Sequence, residues 1–340
     1  MHMNKIKIGI ICPSEIAFRR FLPSLKKAED FKYMGVAIAS KEEFIGATDE
    51  ILAKESQKAQ NFVDNYGGII YDGYGTLIAS DEVDAIYLPL PPALHFKWAK
   101  QALEHGKHVL IEKPSTCSLA DTQELVALAQ NKELSLHENY MFVFHNQIEA
   151  VKDLVRSGEI GDVRLYRIIF GFPRRTANDF RYNKSLGGGA LLDAGGYTMK
   201  LATNLLGGDV KLTAANAGYL DEFEVDMYGS ATVVNESGAV AQVAFGMDND
   251  YRCDLEIWGS IGTLTTGRIL TAPDGFVPTY TIKKNQNIQT GNLPADDAFL
   301  KSIKRFGECL RDKDTREENY HLLLQQERLV EEFKQLSNMG

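Results

Sequence analysis

The chain has 340 residues, more than a single core usually reaches, and its 44% hydrophobic and 24% charged content is that of a globular protein in water. A net charge of −9 and a pI near 5.4 argue against nucleic-acid binding as the main role. No apolar run approaches the ~20 residues of a membrane span.

The four cysteines, at 12, 117, 253 and 309, stand alone, without a C-x-x-C or a disulfide-dense pattern, so a reducing cytoplasm is expected. His105 and His108 have no further Cys, His or carboxylate cluster to complete a metal site, so no metal is expected. The first five residues run straight into strand-like sequence, with no signal-peptide core.

Residues 5–11 alternate and then turn apolar, as a first buried strand does. A dinucleotide turn after it would need glycines for close approach to a pyrophosphate, then a helix start to hold the anion. The chain reads Gly9-Ile10-Ile11-Cys12-Pro13-Ser14-Glu15-Ile16-Ala17, which by itself does not announce such a site. Pro23 suits the first turn of a helical segment. Residues 33–39 form the second strand, ending at Ser40-Lys41-Glu42-Glu43. An acidic residue there commonly holds the ribose hydroxyls of NAD, whereas Ser40 and Lys41 suit a 2′-phosphate. NADP(H) is therefore preferred, and the two glutamates keep NAD(H) open.

Residues 42–66 are polar and mostly helical. Strands follow at 69–71 and 84–90, the second ended by Pro89, Pro91 and Pro92, with a helix to Gly106. The apolar run 109–111 is a short buried strand. It stops at Glu112-Lys113-Pro114, because proline has no N–H for a ladder. Ligands bind outside the carboxyl ends of such strands, so Lys113 is a cation at the mouth of a cofactor crevice. Ser118 to Asp121 is an N-cap signature for a helix to about residue 131, and 134–136 is the last strand. This alternation predicts a doubly wound parallel sheet in a first domain over 1–136.

Residues 137–340 have a different pattern. A helix ends near Gly158, strands are expected at 165–170, 228–234, 239–245, 255–258 and 263–266, and 235–238 is a hairpin turn. Helices are expected over 295–311 and 317–336. The most specific motif is Gly187-Gly188-Gly189-Ala190-Leu191-Leu192-Asp193-Ala194-Gly195-Gly196-Tyr197. Its glycines permit close backbone approach before a helix on which Asp193 and Tyr197, four apart, share a face.

Leu94-His95, Trp98-Ala99, Ala102-Leu103, Gly106-Lys107-His108 and Glu112-Lys113-Pro114, in this order and spacing, resemble the glucose–fructose oxidoreductase/inositol dehydrogenase (Gfo/Idh/MocA) family of NAD(P)-dependent enzymes. The resemblance covers nearly the whole chain. Tyrosine at 197 after G-G-G-A-L-L-D is similar to a smaller branch with nucleotide-sugar 3-ketoreductases, dihydrodiol dehydrogenase and an NADP-dependent xylose dehydrogenase. Residues 138–142, 179–182 and 270–273 lean toward the ketoreductases. The resemblance implies an N-terminal Rossmann domain and a C-terminal α+β domain whose large, mostly antiparallel sheet supports homodimers or homotetramers.

Aligned on Ile16-Ala17, the family's first two motif glycines fall on Cys12 and Ser14. Cys12 adds a Cβ where the backbone should turn sharply; it is read as a small filler of that turn rather than as a reactive thiol. The resemblance places the cofactor against Gly9, Cys12, Ser14, Glu15 and Ile16, against Ser40 and Lys41, and against Leu90, Pro91, His95, Glu112 and Lys113. For His95 the alternative is a helix-start histidine bonded to a backbone carbonyl. Substrate contacts are implied for Tyr140, His145, Asp179, Arg181 and Tyr182, with a solvated loop as the alternative for Asp179 and Arg181. Arg174 and Arg175 would meet a diphosphate, or are simply solvated.

Reducing a ketone needs a hydride on carbon, which the cofactor supplies, and a proton on oxygen. A phenol can give that proton, but its free pKa of about 10 is high for the task at neutral pH. A neighbouring ammonium would lower it and also stabilise charge on the carbonyl oxygen. Tyr197 is thus the candidate proton donor and Lys113 its electrostatic partner; packing at a domain seam is the alternative for Tyr197. Asp193 either sets the position of helix and tyrosine or is a capping carboxylate. The expected activity is reduction of a nucleotide-linked 3-keto-deoxyhexose in carbohydrate metabolism. The alternatives are an NADP-dependent dehydrogenase of a free sugar or trans-dihydrodiol, and a non-catalytic family member with weakened dinucleotide binding.

Overall fold

A computed structural model describes residues 4–44 and 47–339. The chain divides into two compact units. One holds the residues through Asn139 together with Phe299–Leu324; the other holds Tyr140–Ala298 and the segment from Gln325. The division is therefore not a single cut after residue 136, because the chain returns to the first unit at Phe299.

In the first unit the strands are β1 (Ile6–Ile11), β2 (Phe31–Ile38), β3 (Ile69–Asp72), β4 (Ala85–Leu88), β5 (His108–Ile111) and β6 (Leu136–Glu138). All pair in parallel, in the order β3-β2-β1-β4-β5-β6. Ile8, Ile10, Ile86, Leu88, Val109 and Ile111 have no exposed surface, as expected of strands covered on both faces. The order reverses between β1 and β4, and the crevice at the carboxyl ends of these strands is where such sheets bind ligands. The connecting helices are α1 (Leu22–Leu25), α2 (Asp49–Tyr66), α3 (Tyr74–Ala79), α4 (His95–Glu104) and α5 (Leu119–Asn131).

The helix expected over 42–66 starts only at Asp49, where Thr48 Oγ1 caps it by accepting from the Ile51 N–H at 3.3 Å. Residues 41–44 form a turn instead, and Ile45 and Gly46 lie outside the described residues. Ser118 caps α5 as expected, its Oγ accepting from the Asp121 N–H at 3.2 Å. The last strand lies two residues later than its apolar run suggests, because buried partners satisfy the polar side chains of His137 and Glu138 within it.

The second unit holds α6 (Asn146–Arg156), β7 (Val163–Gly171), α7 (Gly196–Leu206), β8 (Val210–Gly218), β9 (Tyr228–Asn235), β10 (Val240–Gly246), β11 (Arg252–Gly259), β12 (Thr263–Gly267), β13 (Thr279–Lys284) and β14 (Asn287–Asn292). Its sheet runs β14-β13-β12-β11-β7-β10-β9-β8 and is antiparallel except where β7 meets β10. One face, with Ile168, Val243, Phe245, Leu255 and Ile257, is buried in a core that includes Met199 and Leu201 of α7. The other face exposes Arg167, Ser230 and Gln242.

Two C-terminal helices follow, α8 (Ala298–Arg311) and α9 (Lys313–Leu336). From Phe299 to Leu324 they belong to the first unit. No helix among the described residues is long and apolar enough to cross a membrane.

Candidate active site

The turn after β1 is made without its expected glycine. Cys12 adopts φ +75°, in the left-handed region, and its N–H donates to the Ala37 carbonyl at 3.1 Å. That conformation costs a residue with a Cβ about 1–2 kcal/mol, and the tight turn is kept at that cost. The side chain packs partly against the core, and burial pushes the thiol up to about 12. A thiol so far from ionising is a filler, not a nucleophile. Ser14 Oγ accepts from the Ala17 N–H at 3.2 Å, which caps a helical run over 15–25 containing a π-turn at Ala17–Phe21. The amides of Glu15 and Ile16 thus lie in the first turn of a helix, where an anion is favoured. Gly9 is a correction. It lies inside β1, where a Cβ would strike the Leu77 side chain, so its lack of a side chain serves strand–helix packing rather than cofactor contact.

At the end of β2, the Glu43 carboxylate accepts from three backbone amides: Ser40 at 2.9 Å, and Tyr74 and Gly75 at 2.8 Å each. It ties the loop to the start of α3 and is not offered to a ribose. Lys41 lies exposed, paired with Asp49 at 2.7 Å.

The ends of β4 and β5 hold the most tightly braced stretch. Glu112 Oε1 accepts from the Tyr87 hydroxyl and from Asn139 Nδ2, each at 2.6 Å, and burial raises its pKa against the pull of these bonds and of Lys113. Lys113 is half-buried. The Pro114 carbonyl lies 2.8 Å from His95 Nδ1, and the Ser115 N–H donates to Glu138 Oε1 at 2.9 Å. His95 is fully buried, and its Nε2 lies 2.7 Å from the Leu90 carbonyl. The ring therefore does not face a cofactor, which corrects the expected contact: it fastens the Leu90–Pro91 strand end to the stretch that carries Lys113. Two carbonyls call for two N–H groups, but burial is the larger effect and pushes the ring down to about 4, so it is neutral at physiological pH.

In the second unit, the triple glycine brings two backbones together. A Cβ on Gly188 would collide with the Arg181 carbonyl, and Gly189, at φ +122°, would put one into the Asp226 carboxylate. Asp226 is the unforeseen residue. Its carboxylate accepts from the Leu191 N–H at 2.6 Å and its carbonyl from the Ala190 N–H at 2.8 Å, at the start of the Tyr197 helix. Burial pushes it up to about 6 against those hydrogen bonds. A π-turn at Leu191–Gly195 follows, and such widened turns often accompany functional sites.

Asp193 binds Arg181 Nε at 2.6 Å, and Asp179 binds Nη1 at 3.1 Å. Burial disfavours the Arg181 cation, but the two carboxylates outweigh it and raise its pKa. The triad therefore pins the 179–186 segment onto the helix, and Arg181 is committed within the protein. Tyr197 is half-buried, its ring 5.2 Å from Tyr140, 5.3 Å from Phe170 and 5.6 Å from Phe142.

Tyr140 and His145 are corrections. At 1% and 2% exposed they cannot line an open pocket. Tyr140 packs beneath Tyr197, with its hydroxyl 3.5 Å from Gln326 Nε2, while His145 Nδ1 caps α6 by accepting from the Gln147 N–H at 3.1 Å. Tyr182 accepts from the Arg175 N–H at 2.7 Å and stacks near Phe223. Arg174 is paired with Glu222 and Asp248.

Comparison with known proteins fits this arrangement. The model of an oxidoreductase family with an NAD-binding Rossmann fold matches residues 6–140, and that of the GFO/IDH/MocA C-terminal domain matches residues 148–265. A dTDP-3,4-didehydro-2,6-dideoxy-α-D-glucose 3-reductase of Streptomyces violaceoruber is 36% identical, over 99% of this chain and 97% of that protein. The crystal structure of KijD10, a 3-ketoreductase from Actinomadura kijaniata in complex with NADP and TDP-benzene, superimposes with a TM-score of 0.89 at 33% identity, covering 98% of each chain. A trans-1,2-dihydrobenzene-1,2-diol dehydrogenase of Xenopus tropicalis is 32% identical over 52% of this chain and 53% of its own length. The chain belongs to the Gfo/Idh/MocA family and is an NAD(P)-dependent oxidoreductase.

Two predictions follow from these local geometries. Cys12→Val should destabilise the protein by about 2 kcal/mol, because a β-branched residue tolerates positive φ poorly, while Cys12→Gly should change stability by no more than about 1 kcal/mol. Denaturant midpoints compare them; equal losses would contradict a left-handed Cys12. Asp226 has a folded pKa above its ordinary 3.8, so the native state prefers the protonated acid. That preference is fully present below 3.8 and is lost as pH rises through about 6. Asp226→Asn keeps the acceptor without the titration, so across this window the stability of the natural protein should fall relative to the variant by about 3 kcal/mol, read as a falling melting temperature. Parallel curves would contradict the shift.

Proposed function

We propose that this member of the family is an NADPH-preferring reductase of a nucleotide-linked keto sugar, a 3-keto-deoxyhexose. The observation that carries the reading is the full-length similarity to dTDP-sugar 3-reductases and to a 3-ketoreductase crystallised with NADP and a TDP ligand.

Several features of the chain support the cofactor. The tight turn at Cys12 and the first-turn amides of Glu15 and Ile16 suit a pyrophosphate. Glu43 is committed to backbone amides, which leaves Ser40 and Lys41 to favour a 2′-phosphate. When bound, the nicotinamide cofactor supplies the hydride. Tyr197 donates the proton that neutralises the oxyanion, and its ring is packed among Tyr140, Phe142 and Phe170. Lys113 stabilises negative charge on the carbonyl oxygen. Asp193, through Arg181, and Asp226, through the Leu191 N–H, hold the Tyr197 helix in place.

A dehydrogenase of a free sugar or trans-dihydrodiol uses the same residues in the oxidative direction, but the dihydrodiol relative matches only half of the chain. A non-catalytic member would need a spoiled turn, and Cys12 at φ +75° supports an intact one. The reading includes a cytoplasmic setting, supported by four free cysteines, and a homodimer or homotetramer through the outer face of the second sheet. That face carries a groove among Arg167, Ile169, Ser230, Thr232, Gln242 and Ala244.

NADPH oxidation with a dTDP-linked 3-keto-6-deoxy sugar, compared with the same free sugar, tests the substrate class. Turnover is expected only when the nucleotide is attached, and equal rates would move the reading to the free-sugar dehydrogenase. Tyr197→Phe should lower kcat by about 100-fold or more with little change in KM. Full turnover by that variant would contradict its role as proton donor.

A further inference from the structure

Glu112 begins a chain of buried hydrogen bonds that ends at a backbone carbonyl. Its Oε1 accepts from Asn139 Nδ2 at 2.6 Å. Asn139 Oδ1 lies 2.7 Å from Ser302 Oγ of α8, which lies 3.0 Å from His137 Nε2. His137 Nδ1 lies 2.9 Å from Asn319 Oδ1 of α9, and Asn319 Nδ2 donates to the Leu136 carbonyl at 2.6 Å. His137, Asn139 and Ser302 are at most 1% exposed, and every member belongs to the first unit.

Counting donors and acceptors along this chain fixes how many protons it holds. The Leu136 carbonyl only accepts, so Asn319 gives it an N–H and turns its oxygen to His137. Nδ1 of His137 must therefore carry a proton. At the other end, an ionised Glu112 also only accepts, so Asn139 gives it an N–H and turns its oxygen to Ser302. Ser302 has one hydrogen, which goes to Asn139, and His137 Nε2 must then donate to the serine oxygen. With Glu112 ionised, the imidazole needs both protons.

A second arrangement satisfies every group equally. The proton sits on Glu112 and donates to the turned-over amide of Asn139, Asn139 donates to Ser302, and Ser302 donates to an unprotonated Nε2. The two arrangements contain the same number of protons. Taking that proton away sets two acceptors against each other somewhere in the chain, at a cost that burial makes large. His95, which also faces two acceptors, differs: its extra proton would be an unpaired buried cation beside Lys113. The chain through His137 ends in a carboxylate, so the extra proton cancels a charge instead of adding one.

We propose that Glu112 and His137 share a single proton through Asn139 and Ser302, and that His137, Ser302 and Asn139 are positioning residues for Lys113, acting through Glu112. The role for Lys113 rests on the function proposed above. The shared proton makes the Glu112–His137 pair neutral overall. Burial raises the pKa of Glu112, in keeping with a carboxyl that competes for a proton. The other buried charged side chains of β6 and of the first-unit part of α9 are engaged elsewhere: Glu138 accepts from the Ser115 N–H at 2.9 Å, and Arg316 holds the Cys309 carbonyl at 3.1 Å.

Nitrogen NMR of the full-length protein with labelled histidine, read together with carbon NMR of labelled glutamate carboxyls, counts the protons directly. Across the neutral pH range His137 Nδ1 should be protonated, and either Nε2 is protonated beside an ionised Glu112 or Nε2 is bare beside a protonated Glu112. A bare Nε2 together with an ionised Glu112 would overturn the shared proton. In steady-state assays, Ser302→Ala should lower kcat about tenfold and shift its pH profile, leave the KM for NADPH within about twofold, and be largely rescued by Ser302→Thr. A folded Ser302→Ala protein with unchanged kcat and pH profile would overturn the positioning role. The NMR arm needs no substrate. A proton found on either Nε2 or Glu112 in a protein that reduces no keto sugar would therefore count against the function and for the shared proton.

Discussion

A lysine proposed to stabilise charge on a reacting oxygen has to be held still, and a surface lysine on four methylenes is not. At the end of β5 the backbone on either side of Lys113 is fixed by groups buried in the first unit. Tyr87 and Asn139 hold Glu112, His95 holds the Pro114 carbonyl, and Glu138 holds the Ser115 amide. These partners come from β4, from α4 and from the end of β6. The parallel sheet therefore does more than build a crevice: it brings several polar side chains to one strand end, where each finds a partner. Burying so many polar groups is tolerable only because they satisfy one another.

The second unit meets the same requirement by other means. Tyr197 sits on a helix whose first turn is fastened by Asp226 and whose π-turn carries Asp193, paired with Arg181. Glycines at 188 and 189 leave room for the Arg181 backbone and the Asp226 carboxylate to come this close. An aromatic wall of Tyr140, Phe142 and Phe170 then orients the phenol. Charge, packing and the absence of a Cβ each fix one part of a single side chain's position.

Much of this was legible in the sequence where the signal is local. Apolar runs gave most of the parallel strands, Ser118 gave a helix start, and Pro114 gave the end of β5. What was missed depends on partners distant in the chain. β6 includes His137 and Glu138, which look like loop residues until Ser302 and Asn319 are brought against them. β8 is built largely of small residues, and β14 is a polar, exposed edge, so neither carries an apolar alternation. For His95 the resemblance implied a cofactor contact and its place at a helix start left open a bond to a backbone carbonyl; its two carbonyl partners fit the second reading and make it a brace. The roll of polar residues just after an apolar run, His137-Glu138-Asn139, was the one available sign of the buried network. The turn at Cys12 shows the reverse: the sequence departs from the glycine pattern, and the backbone keeps the glycine conformation.

The account depends most on the first unit holding a phosphorylated dinucleotide through that altered turn. Thermal denaturation in the presence of NADPH, NADH and their oxidised forms tests this most directly. A ligand that binds only the native state adds about 2.7 kcal/mol at roughly 100 times its dissociation constant, which is a clear shift in melting temperature. The account predicts stabilisation by NADPH well above that by NADH at equal concentration. No shift with any of the four, in protein confirmed to be folded, would contradict it.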